Sequence, residues 1–161
     1  MGEGLKRALV AFQKYRLVKR IIAAIAGAVA GIAGCITFAK VYHNYNAAVW
    51  AGLSAAFAIV FLRLNFSVRR DYERVITRET FKAYLLIGVL GTVAGFVALI
   101  TYIVLGATHH EKGLPAEGYF VVCFWSAKTV MWGVCTMGSA RSFTKKYFES
   151  SPGLVQNNSI Y

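Results

Sequence analysis

The residues of this chain able to do chemistry are few, and they gather in two short connections. Its three histidines are His43, His109 and His110. His43 lies in Lys40-Val41-Tyr42-His43-Asn44-Tyr45-Asn46, with Tyr42 and Tyr45 beside it, and His109-His110 fall at the start of the run 108–118. Neutral imidazole is the commonest metal ligand of proteins, and imidazole and tyrosinate both serve as axial ligands to heme iron. Aromatic and apolar walls suit a porphyrin, and basic groups suit its propionates. Adjacent side chains diverge on a regular helix, so His109 and His110 together supply one ligand to a small site. A closed zinc site needs four ligands, more than these connections obviously offer. The plainer reading, solvated loop histidines, stands beside this one.

Two isolated cations interrupt apolar sequence. A charge deep in a bilayer is costly and marks a functional site by default. Lys128 either binds an anionic ligand between helices or reaches to the outer interface. Arg63 can bind likewise or snorkel to the inner interface. No apolar stretch carries an acidic residue, no Gly-rich loop with Lys cradles a phosphate, and no Ser/His/Asp spacing is apparent, so the chain does not read as an enzyme. Cys35, Cys123 and Cys135 form no Cys-x-x-Cys motif and read as small apolar packing residues.

The elements that must position these groups are four apolar stretches, about 17–39, 47–66, 85–107 and 119–140. Each is close to the ~20 residues a helix needs to cross ~30 Å of hydrocarbon. The chain is 57% hydrophobic and only 16% charged, against about 25% charged for a soluble domain. The expected fold is an all-α four-helix transmembrane bundle, one integral membrane domain over residues 1–161. The first apolar run starts too late and is too long for the core of a cleavable signal.

The net charge of +11 is distributed rather than clustered on a nucleic-acid face. Six basic residues lie at or before the start of the first stretch (Lys6, Arg7, Lys14, Arg16, Lys19, Arg20), and five lie between the second and third (Arg69, Arg70, Arg74, Arg78, Lys82). Three more follow the fourth stretch (Arg141, Lys145, Lys146), whereas the other two connections hold only Lys40 and Lys112. This asymmetry predicts both termini in the cytosol and all three histidines outside. It argues for anionic lipid rather than nucleic acid as the partner of the charge. Residues 5–16 read as an amphipathic segment on the inner surface, and 149–161 as a flexible tail. Gly27-x-x-x-Gly31 and Gly91-x-x-x-Gly95 allow close helix approach, either within the bundle or across a homodimer.

With these residues in view, the chain resembles the heme-responsive-gene (HRG) family of small four-span heme transporters. Gly106-Ala107-Thr108-His109 looks like the end of the family's third span with its outer-loop histidine. Trp125-Ser126 followed by Trp132 looks like its last span, and His43-Asn44 looks like the first outer loop of some members. The family's aromatic and basic exit motif has two registers here, Ser139-Ala140-Arg141-Ser142-Phe143 and Phe143-Thr144-Lys145-Lys146-Tyr147. Two departures stand out. Arg63, Leu64 and Asn65 occupy the place of a His or Tyr near the end of span two, and the family's span-four Lys aligns with Met131, one turn from Lys128.

The resemblance implies a transporter that moves heme, as substrate, from the outer or lumenal side to the cytosol. Heme would meet His109 or His110, with His109 the candidate iron ligand and His43 close by. It would pass Lys128 and the Arg63/Asn65 level and leave near Arg141, Phe143, Lys145, Lys146 and Tyr147. The alternatives are a non-transporting tetraspan adaptor that binds a protein partner and, third, a small-ion channel or carrier. The tail lacks dileucine and tyrosine sorting signals, which favours the plasma membrane over the endolysosomal membrane.

Overall fold

The computed structural model describes residues 3–70, 78–109 and 116–145. They form α1 (Glu3–Lys40), α2 (Tyr45–Arg70), α3 (Arg78–Thr108) and α4 (Tyr119–Thr144), with no strand among the described residues. All four helices are long and apolar enough to cross a membrane, over Leu17–Lys40, Tyr45–Val68, Arg78–Thr108 and Tyr119–Thr144. Only a helix satisfies every backbone N–H and C=O within its own segment in hydrocarbon, so apolar stretches of this length have no other monomeric solution. The protein is a multi-pass integral membrane protein built as a four-helix bundle.

Which side chains are buried supports the same conclusion. On α3 the buried residues are Phe81, Gly88, Gly91, Gly95, Ala98 and Gly106. Its exposed ones include Leu86, Leu90, Val93, Phe96, Val97, Ile100 and Val104. The inside is small and the outside bulky and apolar, the reverse of a soluble helix. Lipid tails solvate Leu and Val as well as a core would, so the interior selects residues that let backbones approach.

Helix α1 packs along α2, α3 along α4, and the two hairpins meet chiefly through α2 and α4. The glycines set these distances. A Cβ on Gly95 would lie 2.9 Å from Val130 Cγ2 and 3.1 Å from Ser126 O of α4, and one on Gly31 would lie 2.8 Å from Ala51 O of α2. Gly91 is covered by the Phe57 ring and Gly27 by the indole of Trp132. Gly27, Gly31, Gly91 and Gly95 all meet neighbouring helices of the bundle.

The helix boundaries refine the expectation. The segment 5–16, expected as an amphipathic stretch able to run into the first span, is continuous with it, since α1 runs unbroken from Glu3. The stretch 67–81, expected as a connection, is helical up to Arg70 and again from Arg78. Helix α3 starts early because Phe81 is buried against Leu64, Val68 and Ala140, and because Lys82 Nζ bonds Glu79 Oε1 one turn back at 2.7 Å.

Candidate functional site

The bundle brings its chemistry to two opposite ends. At the histidine end, α1 turns into α2 and α3 faces the start of α4. His43 takes a left-handed backbone (φ 50°), a conformation His tolerates better than most residues without being glycine. That turn lets Asn44 N–H donate back to Phe38 O at 2.9 Å, closing α1. Asn44 then does two jobs. Its Oδ1 accepts from Ala47 N–H at 3.0 Å and caps α2. Its Nδ2 donates to Ala116 O and Gly118 O, each at 3.3 Å, tying the first turn to the segment entering α4.

His109 prolongs the last turn of α3, its N–H bonded to Leu105 O at 3.0 Å. One turn earlier, a Cβ on Gly106 would lie 3.0 Å from the Phe120 ring. The missing side chain lets α4 start close to α3, and this places the His109 ring 5.3 Å from Tyr119. Tyr119 stacks in turn on Tyr102 at 6.2 Å. The result is a row of one exposed imidazole and two half-buried phenols. The sequence pointed to Tyr42 and Tyr45 as the partners of the histidines. Instead, Tyr42 lies against Phe38 at 5.7 Å, and Tyr45 is exposed. Among the described residues no three His, Cys, Asp or Glu side chains converge as a metal site. His110 lies outside the described residues.

At the opposite, basic end, a cavity of about 320 Å³ opens between α3 and α4. Arg78 and Lys82 of α3 and Arg141 and Lys145 of α4 line it, above Phe81, Leu85, Ala140 and Thr144. Each helix contributes two cations spaced i, i+4, which puts both on one face. The Phe143 ring lies 6.4 Å from Phe81. Of the expected exit residues, Arg141, Phe143 and Lys145 are thus gathered, while Lys146 and Tyr147 lie outside the described residues. Arg78 and Lys82 were visible in the sequence only as topology-setting charges; their i, i+4 match with Arg141 and Lys145 was the available signal.

The residues expected midway do not form one site. Lys128 is half-buried and turns its ammonium one turn back, 5.6 Å from the Phe124 ring. It flanks the exposed face of α4 that carries Phe124 and Met131, as a cation reaching toward the histidine end would. Arg63 is exposed, whereas Asn65 is fully buried and donates to Phe61 O at 2.7 Å. Two residues apart on a helix, they point to different faces.

Between the ends, α1 meets α4 through two indoles. Trp132 lies on Gly27, and Trp125 Cζ2 would be 2.5 Å from a Cβ on Gly34. Neither Trp125 Nε1 nor Trp132 Nε1, both buried, has a hydrogen-bond partner, and the same holds for Asn65 Oδ1. The neighbouring hydroxyls of Ser126, Thr129 and Thr136 bond to carbonyls one turn back on α4.

No family model matches this chain, and no solved structure matches it. What the fold and the two ends define is a four-span integral membrane protein with an imidazole–phenol row at one end and a basic cavity at the other.

Proposed function

We propose that the protein carries heme across a membrane, with both termini in the cytosol and the histidine end outside. The observation that carries this reading is the row His109–Tyr119–Tyr102. It sets an accessible iron ligand beside flat aromatic faces of the kind a porphyrin packs on. The charge distribution supports the orientation, and the motifs around Gly106–His109 and Trp125–Trp132 support the family resemblance. Arg141 and Lys145 at the far end suit the propionates of a departing heme. A carrier must release its cargo, so an exposed imidazole with no converging metal cluster fits transfer better than storage.

Passage requires the helices to part, and we place the parting at the α1–α4 seam. It is held by indoles on glycine and contains buried polar atoms without partners. Each such atom costs about 1–3 kcal/mol in the closed state, a cost that a passing ligand or water would relieve.

The reading is tested by titrating purified protein in detergent with hemin and following the Soret band, with His109→Ala/His110→Ala alongside. A saturable shift that weakens in the variant supports an outer-end ligand. Absence of any saturable shift contradicts the heme reading and favours the tetraspan adaptor.

A further inference from the structure

The cavity at the basic end contains more cationic character than topology alone requires. Positively charged flanks orient a membrane protein wherever they lie along the connecting segments. Here Arg78, Lys82, Arg141 and Lys145 come from two different helices and surround one space of about 320 Å³. Arg78 and Arg141 bring like charges from the two helices to one cavity, and Glu79 bonds Lys82 at 2.7 Å on the exposed side. An anion in the cavity would offset the repulsion of those like charges.

The rest of the lining says what kind of anion. Along α3 the wall runs from Arg78 to Leu85, about 10 Å at 1.5 Å per residue. It passes from cationic groups at the helix end to Phe81 and Leu85 deeper in. Beside Leu85 the surface continues outward into exposed Leu86, Val89 and Leu90 of the same helix. A ligand fitted to this sequence of surfaces has a charged head, a short apolar neck and a tail lying against the lipid-facing side of α3. Guanidinium forks such as those of Arg78 and Arg141 favour the geometry of phosphate oxygens.

We propose that this cavity is a binding site for the phosphate headgroup of an anionic phospholipid, held between α3 and α4. Thr144 marks the helix-end side of the pocket, its hydroxyl engaged with Ala140 O at 2.9 Å. The proposal does not rest on the heme reading, and its test contains no heme.

Delipidated full-length protein in detergent is titrated with phosphatidic acid, with phosphatidylcholine of the same chains, and with glycerol 3-phosphate, and adducts are counted by native mass spectrometry. The expected result is one saturable phosphatidic acid adduct and at least tenfold weaker phosphatidylcholine binding. A surface-proximal cation contributes about fivefold to such binding, so Arg78→Gln/Arg141→Gln should weaken it about thirtyfold. Arg78→Gln alone, the milder variant should the double one misfold, should weaken it about fivefold. Arg20→Gln, which removes an exposed cation of α1 at the same end, should leave it unchanged. Equal lipid binding by wild type and the Arg78 variants overturns the site. Binding of glycerol 3-phosphate as tight as that of the lipid overturns the lipid assignment in favour of a soluble phosphate.

Discussion

Replacing Gly133 by alanine inserts a methyl where α3 and α4 touch backbone to backbone. The new Cβ would lie 2.6 Å from Thr92 Oγ1, 2.8 Å from Thr92 N and 2.9 Å from Gly88 O. Only the first of these belongs to a side chain, and Thr92 Oγ1 is itself held by Gly88 O at 2.8 Å. Nothing small can rotate away, so the helices must separate by roughly 0.5–1 Å, a gap that forfeits a quarter to a half of each dispersion contact along the seam. Overpacking of this kind costs about 1–3 kcal/mol. Alanine also gains up to about 1 kcal/mol of helix propensity over glycine, which would blur a comparison with wild type. Gly138, on the same helix, removes that ambiguity, since a Cβ there meets nothing within 4 Å. The difference between Gly133→Ala and Gly138→Ala therefore isolates packing and should be about 1–3 kcal/mol. Unfolding by added SDS in mixed micelles, followed by tryptophan emission, measures it. Thr92→Ala should restore only part of the loss, because the two backbone contacts remain. If Gly133→Ala and Gly138→Ala unfold at the same SDS fraction, the proposed backbone contact between α3 and α4 is wrong.

Asn44→Ala should destabilise the histidine end by about 2 kcal/mol, a lost cap plus lost bonds to the 116–118 segment. Asn44→Asp should lose less, because it keeps the capping acceptor; SDS unfolding of both variants checks the order. Gly27→Ala should destabilise alone and be rescued by Trp132→Phe, because the atoms over Gly27 all belong to the six-membered ring of the indole. A double-mutant cycle should show coupling of about 0.5–3 kcal/mol, and a coupling near zero would separate α1 from Trp132. His43→Cys, in protein whose three native cysteines are replaced by alanine, should react with an impermeant maleimide on intact cells. Labelling of His43→Cys only after permeabilisation, with Arg20→Cys in the same background labelled on intact cells, would invert the proposed orientation.

The four helices were legible because long apolar runs in a bilayer have one way to satisfy their backbones. Which helices touch was not, because the inner and outer faces are both apolar and differ mainly in size. The glycine spacing foretold close approach but not the partner: Gly27 meets Trp132, Gly91 meets Phe57, and Gly95 meets Val130. The early start of α3 was hidden by its charge, since hydropathy sees Arg78 and Lys82 but not the burial of Phe81. His109 stood out as one of only three histidines, yet its neighbour Tyr119 depends on Gly106 admitting Phe120, a contact between helices. Asn44 entered the sequence reading only beside His43; its capping of α2 and its reach to Ala116 and Gly118, more than seventy residues on, appear only in the fold. Lys128 was open between an inward ligand and a snorkelling cation, and its place over the Phe124 ring was not legible in the sequence.

We propose transport of heme by way of the histidine end. Its most direct test reconstitutes the protein in liposomes that enclose apomyoglobin, adds hemin outside and follows the Soret band of the filled acceptor. Uptake should be clearly faster than in protein-free liposomes and slowed at least severalfold by His109→Ala/His110→Ala, with the variant still folded by SDS titration. Uptake equal to that of empty liposomes would contradict it.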